Sequence, residues 1–258
     1  MSSELTSEMK GQTLWLTFNR PEARNALTFA MYDALAEICA TIPTDGSVRA
    51  MVLTGAGGKA FAAGTDMTQF RVFETAQDAL DYEDNISRVL AAVDQCPVPT
   101  VAAVHGACTG GGASIAAACD IRISSAQLKF GFPIARTLGN CLNAGSLARL
   151  SELIGAGRVR EMIFTARLMG AEEALATGLV SEILPDEAAL IARATELADH
   201  LAGMAPLTLR ATKEAMRRNR AALAVEDSDL ITSCYMSRDF KHGLEAFLAK
   251  QKPEWSGT

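Results

Sequence analysis

The chain has no Cys-x-x-Cys pair, no clustered histidines and no excess of basic residues. Its cysteines (Cys39, Cys96, Cys108, Cys119, Cys141, Cys234) stand at irregular spacing. That pattern fits free thiols in a reducing compartment, and a cytoplasmic protein is expected. His105, His200 and His242 are far apart, so no metal site is suggested. A formal net charge of −6 argues against a general nucleic-acid binder. Met1 to Lys10 is polar and acidic, unlike a signal peptide or an arginine-rich transit peptide. Pro97 to Cys119 carries no charged side chain unless His105 is protonated. Pro97, Pro99, the glycines at 110 to 112 and a strand-then-helix pattern argue against a membrane span there. Internal repeats and low-complexity linkers are also missing.

What is present suits a globular α/β protein. The 258 residues are 49 % hydrophobic, enough for a sizeable core, and 21 % charged. Gln12 to Phe18 alternates Leu14, Leu16 and Phe18 against polar neighbours and reads as a half-buried strand. Arg20-Pro21-Glu22 is a turn. A helix is expected over 28–40, with Thr28 as its N-cap. Strand 48–54, helix 76–93, strand 100–105, a short helix after Gly111 and strand 121–124 follow. This order implies parallel strands with crossover connections. Beyond about residue 140 the pattern is nearly all helical: 143–154, 158–165 and 171–177, a brief strand over 179–184, then 186–203, 206–219, 221–236 and 238–251. An α/β core over 1–195 and a helical appendage over 196–258 are expected. Leu209, Met216, Leu223, Leu230, Ile231, Leu244, Phe247 and Leu248 give the appendage more apolar surface than it can bury alone. It is expected to pack on the core or on another subunit. Lys213, Arg217, Arg218 and Arg220 form a basic cluster, read as a solvated helix face or a draw for an anionic ligand or partner.

The sharpest feature is a pair of glycine-rich turns. Phe61-Ala62-Ala63-Gly64-Thr65-Asp66 follows one strand-like run. Gly106 to Ser114, centred on Gly111, follows another and opens a small-residue helix. Two such turns can aim two backbone N–H groups at one point, suited to a carbonyl oxygen that gains negative charge. Gly111 begins a helix, so its N–H lacks an intrahelical partner and lies at the positive end of the dipole.

Several segments, in order, resemble the crotonase superfamily, the enoyl-CoA hydratase/isomerase fold. They are Asn19 to Leu27, the Phe61 to Asp66 turn, Ala103 to Gly106 with Gly110-Gly111-Gly112, Met169 to Ala174 with Gly178-Leu179-Val180, Ala205 to Leu207 with Lys213, and Phe247 to Pro253. The resemblance covers nearly the whole chain. It implies a spiral of ββα turns with a C-terminal helical oligomerisation region, and a homotrimer or dimer of trimers. It implies an acyl-CoA substrate, so that coenzyme A arrives with the substrate and no cofactor is held permanently. It further implies that the N–H groups of Ala63 and Gly111 form an oxyanion hole for the thioester. Arg24, Asn25 and Ala26 match the segment lining the nucleotide part of CoA. Ala62, Gly64, Asp66 and Met67 match the loop around adenine. Phe247 and Lys250 match C-terminal residues that reach CoA.

The sequence departs from that family at two places. Ser114 stands where its hydratases carry one glutamate. Ile134, after Phe130-Gly131-Phe132-Pro133, stands where they carry the other, and the loop after Pro133 is one residue longer. Hydration needs groups that activate water and deliver a proton, which serine and isoleucine do not directly replace. Glu83 and Asp84, on the helix after the first turn, are the best nearby carboxylates. Asn143 falls near a place where some relatives carry a catalytic aspartate. Arg136 is a possible partner for a substrate carboxylate or phosphate, and Cys141 reads as a nucleophile or, more simply, an inert thiol. His105 reads as a hydrogen-bonded core residue. Three functions remain open: an enzyme of the hydratase or isomerase type with its proton-transfer groups relocated, a non-catalytic acyl-CoA-binding protein, and a thioester hydrolase or decarboxylase on the same frame.

Overall fold

Alternating apolar residues start the chain as a hairpin. The computed structural model describes residues 3–222 and 224–258. Strand β1 (Leu5–Lys10) pairs antiparallel with β2 (Thr13–Phe18). β2 is expected from its alternation, whereas β1 falls in the segment that looks only polar and acidic. β1 is an edge strand that buries only Leu5, so its composition carries little strand signal. Helix α1 (Phe29–Thr41) follows, with the Thr28 hydroxyl accepting from the Met31 N–H as its N-cap.

One pattern then recurs. A buried strand joins a large sheet: β3 (Ala50–Gly55), β5 (Thr100–Val104) and β7 (Ile121–Ser125) in turn. A short strand joins a second sheet: β4 (Ala60–Ala62), β6 (Ala107–Thr109) and β8 (Lys129–Gly131). A helix then carries the chain onward: α2 (Ala76–Gln95), α3 (Gly111–Ala118) and the single turn α4 (Ile134–Thr137). This is the expected ββα spiral. With β9 (Met169–Gly170) and β10 (Ile183–Leu184), the large sheet runs β1-β2-β3-β5-β7-β10 and the small one β4-β6-β8-β9. The β2-β3-β5-β7-β10 pairs are parallel, as are β4-β6-β8.

The remaining helices are α5 (Ala144–Ile154), α6 (Ala156–Phe164), α7 (Ala171–Ala176), α8 (Glu187–Ala202), α9 (Pro206–Ala221), α10 (Ser228–Tyr235) and α11 (Arg238–Leu248). Because strand side chains alternate, β3 feeds two cores. Met51 and Leu53 join the main core, whereas Ala50 and Val52 pack beneath Leu190, Ala194 and Ala198 of α8.

The expected helix over 221–236 begins only at Ser228, whose N–H and hydroxyl are taken up by Glu226. Leu223 lies outside the described residues. The expected strand over 179–184 shrinks to β10. The C-terminal helices divide in two. Ile231, Tyr235, Phe240 and Leu244 of α10 and α11 are buried against Phe70 and Leu138. By contrast, α9 buries no residue, and its Leu207 and Met216 are 74 % and 60 % exposed. The basic cluster on α9 is paired. Lys213 meets Asp120 at 2.6 Å, Arg220 meets Asp94 and Glu152, and Arg217 and Arg218 share Glu214. Among the described residues no helix is long and apolar enough to cross a membrane.

Candidate active site

The two glycine turns meet. Gly64 and Gly110 are so close that a Cβ on Gly110 would lie 3.4 Å from the Gly64 Cα. Gly64 has φ 109°, a conformation that favours glycine. At Gly111, a Cβ would collide with the Tyr32 hydroxyl and lie 3.2 Å from Thr65 Oγ1. Tyr32 is held there by a 2.8 Å hydrogen bond to Thr65 Oγ1, which also meets the Tyr82 hydroxyl at 3.0 Å. Glycine at 111 is therefore a packing requirement.

The N–H groups of the first turn differ from expectation. The Ala63 N–H donates to the Arg24 carbonyl at 3.1 Å, so it is not a free donor. Leu27 N–H donates to the Gly64 carbonyl, and Asp66 N–H donates to the Leu27 carbonyl, both at 2.8 Å. In such a parallel bridge the central residue, here Thr65, turns its own N–H away from the partner strand. The Thr65 N–H takes no part in the backbone bonding of the turn. The Gly111 N–H begins α3 and has no intrahelical acceptor. Thr65 and Gly111 both line one cavity of about 200 Å³. The available donor pair is thus Thr65 and Gly111. Sequence alone does not reveal this, because the Ala63 bond depends on Arg24, far back in the chain.

Ser114 and Ile134 both line the same cavity and are 6 % and 7 % exposed. Its walls are largely apolar, with Met67, Phe70, Ile86 and Leu138 among them, and Phe247 also contributes. Among the described lining residues Glu83 is the one carboxylate. It is 6 % exposed, and burial pushes its pKa up. Two donors partly offset that: the Tyr235 hydroxyl to Oε1 at 2.6 Å and Asn143 Nδ2 to Oε2 at 2.8 Å. Asp84 is exposed and not a lining residue, because one step along a helix turns a side chain by about 100°. Asn143 caps α5 through Oδ1, which accepts from the Ser146 N–H at 2.8 Å. That bond fixes its amide so that Nδ2 faces Glu83. Asn143 therefore orients a carboxylate. Tyr235 is a site residue that sequence reasoning missed; its only signal is the four-residue spacing from Ile231, which places both on one helix face.

The other candidates sort as follows. Cys141 lines the cavity, but its thiol donates to the Leu230 carbonyl at 3.9 Å, and hydrogen bonding with the free Cys234 thiol and burial push its pKa up, so it stays a thiol. Arg136 is exposed and does not line the cavity. His105 is 2 % exposed and bonds the Gly55 carbonyl at 2.8 Å, as expected of a core residue.

Of the residues matched to CoA, Gly64, Met67 and Phe247 line this cavity. Asn25 is fully buried and its amide is spent internally, accepting from the Arg20 N–H and donating to the Ala56 and Ala60 carbonyls. Its side chain holds the turn and cannot reach a ligand. Ala62 is fully buried beneath Gly112. The Asp66 carboxylate is committed to Arg20 at 3.0 Å and to Thr68. Despite some burial, the Thr68 and Arg20 contacts hold it below the usual carboxylate range. Arg24 and Lys250 are exposed, both at positive φ; Ala26 and Met67 are half-buried, and Phe247 is 45 % exposed. No group of His, Cys, Asp or Glu among the described residues could hold a metal ion.

A family model described as enoyl-CoA hydratase/isomerase matches residues 8–258. The chain is 35 % identical to a short-chain-enoyl-CoA hydratase of Clostridium acetobutylicum, over 96 % of this chain and 95 % of that protein. It is 34 % identical to the human mitochondrial Delta(3,5)-Delta(2,4)-dienoyl-CoA isomerase, over 92 % of this chain and 74 % of that one. Among solved structures, an enoyl-CoA hydratase/carnithine racemase from Magnetospirillum magneticum superposes with a TM-score of 0.80 at 34 % identity, covering 100 % of this chain and 97 % of that one.

Proposed function

Since the chain belongs to the enoyl-CoA hydratase/isomerase family, within the crotonase superfamily, we propose that it is an acyl-CoA enzyme that shifts a proton next to the thioester. The thioester oxygen sits between the N–H groups of Thr65 and Gly111, where negative charge is stabilised as the enolate forms. Glu83 removes the proton and returns it at another carbon. One observation carries this reading: a buried carboxylate whose pKa is raised faces a largely apolar cavity beside two available N–H groups. Burial in that setting brings a carboxyl nearer to the pH at which it both takes and gives a proton. Among the described lining residues no second carboxylate is available to activate water. A one-base proton shift therefore fits this pocket better than hydration does. A protein that only bound acyl-CoA would have no use for a carboxylate that costs stability where it sits.

Arg24, Ala26, Met67, Phe247 and Lys250 are the proposed CoA contacts by side chain. Gly64 and Asp66 contribute backbone, Ala62 shapes the turn, and coenzyme A enters only as part of the substrate. The appendage over 196–258 is proposed to make a homotrimer or a dimer of trimers through the exposed face of α9. A cytoplasmic location is proposed from the free thiols.

The experiment is incubation with a panel of acyl-CoAs, read by mass spectrometry and ultraviolet absorbance. Conversion of a 3-enoyl-CoA to its conjugated 2-enoyl isomer, without a change of mass, is expected. Gain of water would mark a hydratase, loss of carbon dioxide a decarboxylase and free CoA a hydrolase, each against the proposed shift. No change in any thioester despite binding would mark a non-catalytic acyl-CoA-binding protein.

A further inference from the structure

We propose that Tyr235 is a positioning residue that holds the Glu83 carboxylate in place for proton transfer, so that the C-terminal helix α10 completes the acid–base machinery of its own chain. The inference rests on Glu83 being the acid–base group. It is carried by the bonding around the phenol. The Tyr235 hydroxyl receives the Asn140 Nδ2 hydrogen at 3.2 Å and gives its single hydrogen to Glu83 Oε1 at 2.6 Å. An amide donor on the phenol oxygen fixes the direction of the bond to Glu83. Oε2 is held from the other side by Asn143, itself oriented by Ser146. The carboxylate is thus gripped at both oxygens, and each oxygen keeps lone-pair capacity for a substrate proton.

The phenol is itself immobilised. Tyr235 is 1 % exposed, with ring centroids of Phe240 at 4.8 Å, Tyr82 at 6.2 Å and Phe70 at 6.5 Å. A site group performs best when the group holding it is locked by packing in this way. The ionisable groups around Glu83 are Tyr32 of α1, Tyr82 and Asp84 of α2, Cys141 of the loop before α5, and Asp227 and Tyr235 at α10. Burial, Asp227 and Asp84 push Glu83 up; Tyr235 and Asn143 alone pull it back. Loss of the Tyr235 hydroxyl therefore moves Glu83 further up, and the ionised base appears only at higher pH.

The test uses Tyr235→Phe, which keeps the ring and removes the hydroxyl. The readout is deuterium wash-in from D₂O at C2 of butyryl-CoA, measured by mass spectrometry across a range of pD. The acidic limb of the rate profile is expected to move up by about one unit, since a charge-assisted hydrogen bond is worth roughly that much. Below the limb the rate then falls about tenfold, with KM for butyryl-CoA little changed. An unmoved limb overturns the inference. Should Tyr235→Phe fail to fold, Asn140→Ala removes the donor onto the phenol and leaves the ring in place. A smaller shift in the same direction is expected, and none would overturn the inference. Glu83→Gln separates the two claims. If it keeps wild-type exchange, the reading of Glu83 itself fails. If it loses exchange while Tyr235→Phe keeps the wild-type profile, only the positioning role fails.

Discussion

At the scale of residues, the site is built from close approaches that sequence shows only in part. Ser114 and Ile134 reach the cavity from the places their motifs suggest. Glu83 is also legible, since Ala79, Glu83, Ile86 and Leu90 share one stripe of α2 and all are buried. The same stripe leaves out Asp84. The exchange of Ala63 for Thr65 is not legible, because a backbone N–H carries no sequence signature. The Gly111–Tyr32 contact supplies a test. Gly111→Ala drives a methyl into the Tyr32 hydroxyl and forces it off Thr65. Overpacking of this kind costs about 1–3 kcal/mol, so a lower Tm and a disturbed donor pair are expected. Tyr32→Phe in the Gly111→Ala background removes the colliding oxygen and should recover part of the lost Tm. No recovery would mean that the strain lies elsewhere, as at Gly112 against Ala62.

At the scale of elements, long periodic segments are readable and short ones are not. Helices α1, α2 and α8 fall within a few residues of where apolar spacing and caps place them. The strands of the small sheet do not emerge, because two or three residues beside glycine turns look like loop. β4, β6 and β8 exist because parallel pairing across successive spiral turns satisfies their backbone groups, and β9 adds to β8 antiparallel. The position of α10 is equally hidden. Its sequence shows apolar faces, yet only packing on Phe70 and Leu138 decides that Ile231 and Tyr235 turn inward while Leu230 stays 61 % exposed.

At the scale of the whole molecule, the cavity is closed by elements far apart in sequence: the two glycine turns, α2, the loop after α4, and α10. The C-terminal helices divide their work. α10 and α11 cover the pocket of their own chain, while α9 is tied to the body by ion pairs of modest individual worth and leaves Leu207 and Met216 outward. Light scattering at micromolar concentration is expected to give a trimer or hexamer, and Leu207→Glu with Met216→Glu should lower that mass. A wild-type monomer would contradict the assignment of that face. The central claim is that Glu83 moves a proton beside a thioester whose oxygen lies between the Thr65 and Gly111 N–H groups. It is tested most directly by deuterium wash-in at C2 of butyryl-CoA, wild type against Glu83→Gln. Loss of an acid–base group should slow wash-in by about 10²–10⁴-fold while calorimetric affinity for butyryl-CoA is kept. Wash-in by Glu83→Gln at the wild-type rate would contradict the account.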